Sequence, residues 1–230
     1  MSGRIALITG ASRGIGRATA LTFAREGAHC ILTARTTGAL EELDDEITSL
    51  GGSATLVPME LTDYPAIDRL GAGLYERFGK LDILIGNAGI LGKLGPVTHT
   101  DPKIWDQVIA INLTANWRLL RSLDPLLRQS DAGRVVMLTS SVGATPRAYW
   151  GAYAVSKAAL ENMTLTYAAE VEKTALRVNL LNPGATRTRM REEAYPGEDP
   201  NSLKPAEDVA GVILDLSVPE CQKHGERITL

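Results

Sequence analysis

Cysteine is almost missing from this sequence, with two in 230 residues. Cys30 and Cys221 stand far apart, which excludes a disulfide framework and suggests free thiols in a reducing compartment. Histidine is as sparse: His29, His99 and His224 are scattered, so no metal-ligand spacing appears and no metal is expected. Long apolar runs are missing too. The first, from Ile5, ends at Thr9-Gly10, and none reaches the ~20 residues that span a bilayer. No signal peptide and no membrane partner are expected, and the cytoplasm is the default location. A net charge of -3 lacks the excess of one sign that draws a protein to nucleic acid or anionic lipid. No linker, repeat or low-complexity stretch divides the chain, so residues 1–230 read as one domain.

What is present is alternation. The runs Ile5 to Thr9, Cys30 to Thr33, Ala54 to Met59, Leu81 to Ile85, Arg134 to Thr139, Leu176 to Leu181 and Arg227 to Leu230 read as strands. Amphipathic segments between them, such as Gly14 to Glu26, Tyr64 to Phe78 and Ala152 to Lys173, read as helices. Strand–helix alternation predicts an α/β fold, a Rossmann-like doubly wound parallel sheet with helices on both faces. In such a sheet ligands bind beyond the carboxyl ends of the strands, so the strand-to-helix loops are the site candidates. One of them, Arg187 to Lys204, is a polar insertion with Pro and Gly.

Thr9-Gly10-Ala11-Ser12-Arg13-Gly14-Ile15-Gly16 follows the first strand and opens the first helix. Glycine lets the backbone turn tightly and approach a pyrophosphate, and the helix N-terminus supplies free N–H groups and partial positive charge. A Gly-rich loop alone is weak evidence, since turns also need glycine. Its place between a strand and a helix predicts dinucleotide binding. An NAD-binding unit usually puts an acid about 20 residues further on, against the adenosine ribose. Here the second strand ends Thr33-Ala34-Arg35-Thr36 with no acid. Arg35 and Arg13 instead suit a 2′-phosphate, which guanidinium groups grip by charge-assisted bonds. NADP(H) is therefore the expected cofactor, with NAD(H) as the alternative.

Tyr153 and Lys157 stand four apart in Tyr-Ala-Val-Ser-Lys, with Ser140 upstream. Positions i and i+4 share a helix face. One cation at ~5 Å, with an effective dielectric of ~20, interacts by roughly 3 kcal/mol. That is enough to bring a phenol from ~10 to about 8, where it can exchange protons. Such a pair alone is more often surface decoration. Asn112 is more telling: in the helical pattern Ile104 to Leu127 it falls on the apolar side with Ile104, Trp105, Val108 and Leu119. A buried amide must find partners, either in a kink or in a site.

Together these motifs resemble the short-chain dehydrogenase/reductase family over essentially the whole chain. The loop has that family's Thr-Gly-xxx-Gly-x-Gly spacing, and Gly86-Asn87-Ala88-Gly89 its Asn-Asn-Ala-Gly, with Gly86 a departure. Pro183-Gly184 followed by Thr188 is similar to its nicotinamide-side motif. Within the family, residues Asn87 to Pro200 are most similar to the YciK-type bacterial oxidoreductases; Ser130-Asp131-Ala132-Gly133 and Trp150-Gly151-Ala152-Tyr153 carry that likeness.

The resemblance implies a catalytic set of Asn112, Ser140, Tyr153 and Lys157. Ser140 would hold the substrate carbonyl, Tyr153 deliver the proton, and Lys157 hold the nicotinamide ribose and depress the Tyr153 pKa. Asn112 would hold a water linking Lys157 to solvent. It also implies a cofactor set: Gly10, Ser12, Arg13, Gly14, Ile15, Gly16, Arg35, Thr36, Glu60, Leu61, Asn87, Ala88, Gly89, Tyr153, Lys157, Pro183, Gly184, Thr186 and Thr188. Glu60 is a second departure, since the family commonly has Asp there. The expected activity is NADP(H)-dependent interconversion of a carbonyl compound and an alcohol. The alternative, a nicotinamide-sensing regulatory module, predicts a broken catalytic set, and this one is intact.

Two expectations are left. Apolar residues of the helix Ile104 to Leu127 cover roughly 240° of its wheel, against the ~100° one core face requires. Ile109, Leu113, Trp117 and Leu120 lie on the surplus side, and the helix Ala152 to Val171 is similarly broad. These helices pair subunits in the family, so a homodimer or homotetramer is implied. Tyr149, Trp150 and Tyr195 are expected around the substrate. Arg187, Arg189 and Arg191 alternate, and in an extended stretch they would line one side as a fork for an anionic group.

Overall fold

All seven apolar runs are strands of one parallel sheet in the computed structural model, which describes residues 1–230. They are β1 (Ile5–Thr9), β2 (His29–Ala34), β3 (Ser53–Pro58), β4 (Ile83–Gly86), β5 (Arg134–Leu138), β6 (Arg177–Asn182) and β7 (Arg227–Thr229). The order across the sheet is β3-β2-β1-β4-β5-β6-β7. Strand β1 pairs with β2 on one side and with β4 on the other. The chain thus winds outward in both directions from β1, and the switch point between β1 and β4 opens a crevice at the strands' carboxyl ends.

Helices cover both faces: α1 (Gly14–Arg25), α2 (Thr37–Ser49), α3 (Tyr64–Phe78), α4 (Pro102–Ile109), α5 (Ala115–Leu127), α6 (Ser141–Ala144), α7 (Gly151–Val171), α8 (Arg189–Ala194) and α9 (Ala206–Ser217). Alternate residues of each strand feed opposite layers. Ile5 and Leu7 join Ile67, Leu119 and Leu123 on one face, and Ala6 and Ile8 join Phe23, Leu40 and Ile213 on the other. No helix is long and apolar enough to cross a membrane.

Helices α4 and α5 are one helix joined through a π turn, Ala110–Thr114. A π turn takes more residues per revolution, so everything beyond it is rotated relative to an ideal wheel. That rotation corrects the expected surplus face. Leu120 is buried in the chain's own core, while Trp117 stays 46% exposed.

At the amino ends of the strands, Asp82 is fully buried. Its carboxylate accepts from Arg4, Lys80, Ser130 Oγ and the Ile5 amide. Burial pushes this carboxyl up, but those hydrogen bonds outweigh it and hold it below the usual range. Ser130 through Asp82, and the exposed Asp131 through Arg4, therefore act at the end of the sheet away from the crevice.

Candidate active site

Strand β1 ends in a loop that must turn sharply into α1. Gly10 (φ 66°) and Gly14 (φ 54°) take left-handed conformations that disfavour a side chain. A Cβ on Gly16 would collide with the Gly10 carbonyl and the Asn87 amide, so Gly16 lets α1 sit against the strand ends. Asn87 and Ala88 donate their backbone N–H groups to Thr9 Oγ1, at 3.0 Å each, and Asn87 Nδ2 donates to Thr9 O at 2.8 Å. These bonds lace the loop after β1 to the loop after β4.

The crevice above them is about 300 Å³. Arg13, Arg35, Thr36 and Glu60 line one end, and Tyr153, Lys157 and Pro183 the other. Gly10, Ser12, Gly14, Ile15, Leu61, Asn87, Ala88, Gly89 and Thr188 line the rest of it. Gly16, Gly184 and Thr186 are not part of the lining. Gly184 (φ 65°) turns against the Leu230 carbonyl, and the Thr186 hydroxyl donates to Pro183 O at 3.0 Å. Thr33, Ala34, Met59, Ile90, Ile111, Leu138, Thr139 and Met190 line it without having been foreseen. All but Ile111, in the π turn, and Met190 sit at or just after strand ends, which was the available signal.

Two features of the crevice fit a dinucleotide. Arg13, the N-cap of α1, gives no side-chain cap, so the first-turn N–H groups remain available for an anion. Thr33 Oγ1, buried at the carboxyl end of β2, has no hydrogen-bond partner in the protein. Arg35 approaches Glu60 at 3.9 Å, but both are well exposed and the pair is weak. No group of three or more His, Cys, Asp and Glu side chains converges on a metal position.

At the other end, α7 carries Tyr153 and Lys157 on one buried face. Lys157 Nζ donates to Leu138 O at 2.7 Å and lies 5.8 Å from the Tyr153 ring centre. The expectation that Lys157 lowers the Tyr153 pKa is corrected. Burial pushes the phenol up to about 12, with Ser140 acting the other way through a hydrogen bond. Burial also brings the Lys157 ammonium down to about 8, against the opposing field of Glu161. At nearly 6 Å, a cation that is itself desolvated does not offset the loss of water around the phenol.

The Lys157 depression has a measurable consequence. Between about 8 and the unfolded value near 10.4, the unfolded chain holds a proton that folded Lys157 lacks. Stability from this group therefore rises with pH through that window, and below it the buried charge carries its full cost, on the order of 3 kcal/mol. In the cofactor-free protein, wild-type stability minus that of Lys157→Met is expected to rise between about pH 7.5 and about pH 10. The difference cancels Cys30, whose thiol burial raises to about 12 and which works oppositely at high pH. Urea denaturation of both proteins measures it, and a flat difference would contradict the buried ammonium.

Asn112 lies in the π turn and is fully buried. Its Oδ1 accepts from Ile90 N at 2.8 Å, and Nδ2 donates to Ile90 O at 2.9 Å and Ser156 Oγ at 3.0 Å. Both amide protons are thus engaged in tying the loop after β4 to α7. Neither Asn112 nor Ser140 lines the dinucleotide crevice. Ser140, the N-cap of α6, adjoins Tyr153 on the substrate side.

The walls around Tyr153 are apolar: Leu91, Leu94, Val142, Trp150, Met190 and Ala194. Met190 Sδ lies 3.8 Å from the Tyr153 hydroxyl. Arg187, Arg189 and Arg191 do line one small cavity with Tyr195 and Glu198, beside the Tyr153 crevice that Arg189 also borders, but they do not sit on an extended stretch as a fork. Arg189–Ala194 is a helix, and residues two apart on a helix point ~200° from each other. Arg191 makes a two-pronged pair with Glu198 (2.5 and 2.6 Å) and stacks on Tyr195. Arg189 pairs with Glu193, and Arg147 donates to the Tyr195 hydroxyl at 2.8 Å. Trp150 stacks near both Tyr153 and Tyr195, whereas Tyr149 (φ 70°) points outward and is 64% exposed.

A parallel sheet with a Gly-laced crevice at its switch point, closed at one end by a buried Tyr–Lys pair, defines a dinucleotide-binding α/β protein of hydride-transfer type. Residues 4–199 match the family described as short chain dehydrogenase. The chain belongs to that family and is an NAD(P)-dependent oxidoreductase. It is 40% identical over 219 residues to the uncharacterized oxidoreductase YciK of Escherichia coli K12, covering 94% of this chain and 86% of that one. The structure of a short chain dehydrogenase from Shigella flexneri, complexed with NADP, superposes with a TM-score of 0.95 at 39% identity, over 100% of this chain and 97% of that one. An NAD-dependent oxidoreductase of Mycobacterium tuberculosis is 34% identical over 206 residues, 84% of this chain and 74% of its own.

Proposed function

We propose that this protein interconverts an apolar ketone or aldehyde and its alcohol, using NADP(H). The observation that carries the proposal is one continuous crevice with guanidinium groups at one end and a buried phenol at the other. Arg13 and Arg35 would hold the adenosine 2′-phosphate, with the α1 N-terminus on the pyrophosphate. The NADP-complexed Shigella relative supports this choice.

When bound, the cofactor exchanges a hydride with the substrate's carbonyl carbon. The residues manage the oxygen. In reduction, Ser140 donates a hydrogen bond to the carbonyl oxygen, where negative charge develops. Tyr153 then gives that oxygen its proton; a phenol held at about 12 stays protonated at neutral pH and is ready as the acid. Lys157 orients the ribose and supplies positive charge behind Tyr153. Asn112 holds the loop after β4 in place, and a water serving Lys157 would rest on that turn's main chain rather than on the engaged amide. The apolar walls around Tyr153 and the engagement of Arg191 by Glu198 favour a substrate without an anionic group.

The test is NADPH oxidation against a panel of aldehydes, ketones and quinones, each neutral compound matched to a carboxylated one. Turnover of neutral members is expected. Tight NADPH binding with no turnover across the panel would favour the regulatory alternative.

We place the enzyme in the cytoplasm, on its two unpaired cysteines, and infer a homodimer at least. Trp117, Val155 and Leu165 leave 46%, 44% and 39% of their surface open on α5 and α7. A two-fold pairing of these helices would cover them. Sedimentation at micromolar concentration is expected to give a dimer or larger species, and a monomer would contradict the pairing.

A further inference from the structure

Tyr153, Lys157 and Glu161 fall at i, i+4 and i+8 on α7, one face of one helix. Glu161 is buried and does not reach the crevice. Its Oε1 accepts from Thr139 Oγ1 at 2.6 Å and from Arg227 Nε at 3.0 Å. Arg227, on β7, also donates from Nη2 to the Ser140 carbonyl at 3.1 Å. On the far side the carboxylate is boxed in, since a Cβ on Gly143 would lie 2.7 Å from Glu161 Oε1 and 3.0 Å from Thr139 Oγ1. A chain of bonds therefore runs from β7 through α7 to the peptide of Ser140, one turn behind the Tyr–Lys pair.

A largely buried ion pair is a poor source of stability, because desolvation takes back much of its attraction. Its position gives it another use. We propose that Glu161 and Arg227 are positioning residues of the reaction, Glu161 balancing the ammonium of Lys157 and Arg227 fixing the Ser140 peptide through its carbonyl. This rests on the reading of Ser140, Tyr153 and Lys157 given above.

The surroundings of Lys157 support it. Its own helix brings Tyr153 and Glu161. Strand β5 and the residue after it bring the Leu138 carbonyl and the Thr139 hydroxyl, the π turn brings the Asn112 amide, the loop after β4 brings Gly89, and β7 brings Arg227 behind Glu161. Glu161 is the one charge that resists the effect of burial on Lys157. Arg227 in turn tempers Glu161.

The two residues should therefore act on Lys157 in opposite directions. In cofactor-free protein with labelled lysine side chains, NMR titration is expected to show Lys157 losing its proton at lower pH in Glu161→Gln and at higher pH in Arg227→Met. The alkaline limb of kcat/KM should move the same two ways. In both variants kcat should fall about 10-fold with cofactor KM little changed, and Arg227→Lys should return the limb toward wild type. A role in folding alone would not produce opposed shifts. Gly143→Ala displaces the carboxylate without removing it and serves if Glu161→Gln fails to fold; it should shift Lys157 downward. An unmoved Lys157 in these variants would overturn the proposal. The NMR arm needs no turnover, so an inactive protein showing the opposed shifts would contradict the proposed reaction while upholding the pair.

Discussion

Tyr153→Phe is expected to lower kcat by about 100-fold or more while leaving NADPH affinity nearly unchanged. The variant removes the hydroxyl proposed as proton donor and keeps the ring. Its packing predicts a folded protein: Tyr153 sits among Leu91, Val142, Trp150 and Met190, all compatible with a phenyl ring. The hydroxyl's neighbours, Ser140 and the Met190 thioether, are only half-buried, so losing it leaves no fully buried polar group unpaired. Thermal stability should therefore hold or rise slightly, and the loss of turnover would be chemical. Steady-state kinetics with a fluorescence titration of NADPH separates the two effects. Near-wild-type turnover would remove Tyr153 from the reaction.

Arg35→Asp is expected to weaken NADPH by about 100-fold or more and to change NADH affinity little, reversing or erasing the preference. A charge-assisted hydrogen bond is worth roughly 1.5–3 kcal/mol, which alone is about 10- to 150-fold. The introduced carboxylate adds repulsion of the 2′-phosphate. Glu60 sharpens the expectation, since it already lies 3.9 Å from Arg35 and would stand beside a second acid in the variant. Binding isotherms for both cofactors measure it. Equal affinity of the wild type for NADH and NADPH would sink the reading of Arg13 and Arg35.

The strands were legible because the central ones are buried on both faces and the edge strands β3 and β7 still read as short runs between turn signals, so the predicted bounds differ from the observed ones by two residues at most. The Gly-rich loop and the Tyr–Lys spacing were legible because each is local. Helix α8 was not. Arg189 to Ala194 has no apolar period, and only Thr188 marked its start, by accepting from Arg191 N. Pairings across turns, such as Arg191 with Glu198 or Asn112 with Ile90, leave no trace in spacing. Leu120 was misplaced because a helical wheel assumes one pitch and the π turn changes it. Glu161 was in view one turn past Lys157, but the helix face was followed only as far as the cation.

The sheet order also sets how the chain must come together in time. β1 pairs with β4 through Ala6 with Ile83, Leu7 with Leu84 and Ile8 with Ile85, the longest-range pairing in the sheet. Loop-closure entropy must be met before such a contact rewards it. During synthesis from the amino end, β1 to β3 emerge first and leave one edge of β1 without a partner. At roughly 5–20 residues per second, that apolar edge stays bare for about 4–15 s until β4 arrives. The crevice is built across this late seam, so the interval in which a newborn chain is most prone to pair with its neighbours is also the one before it can hold a dinucleotide.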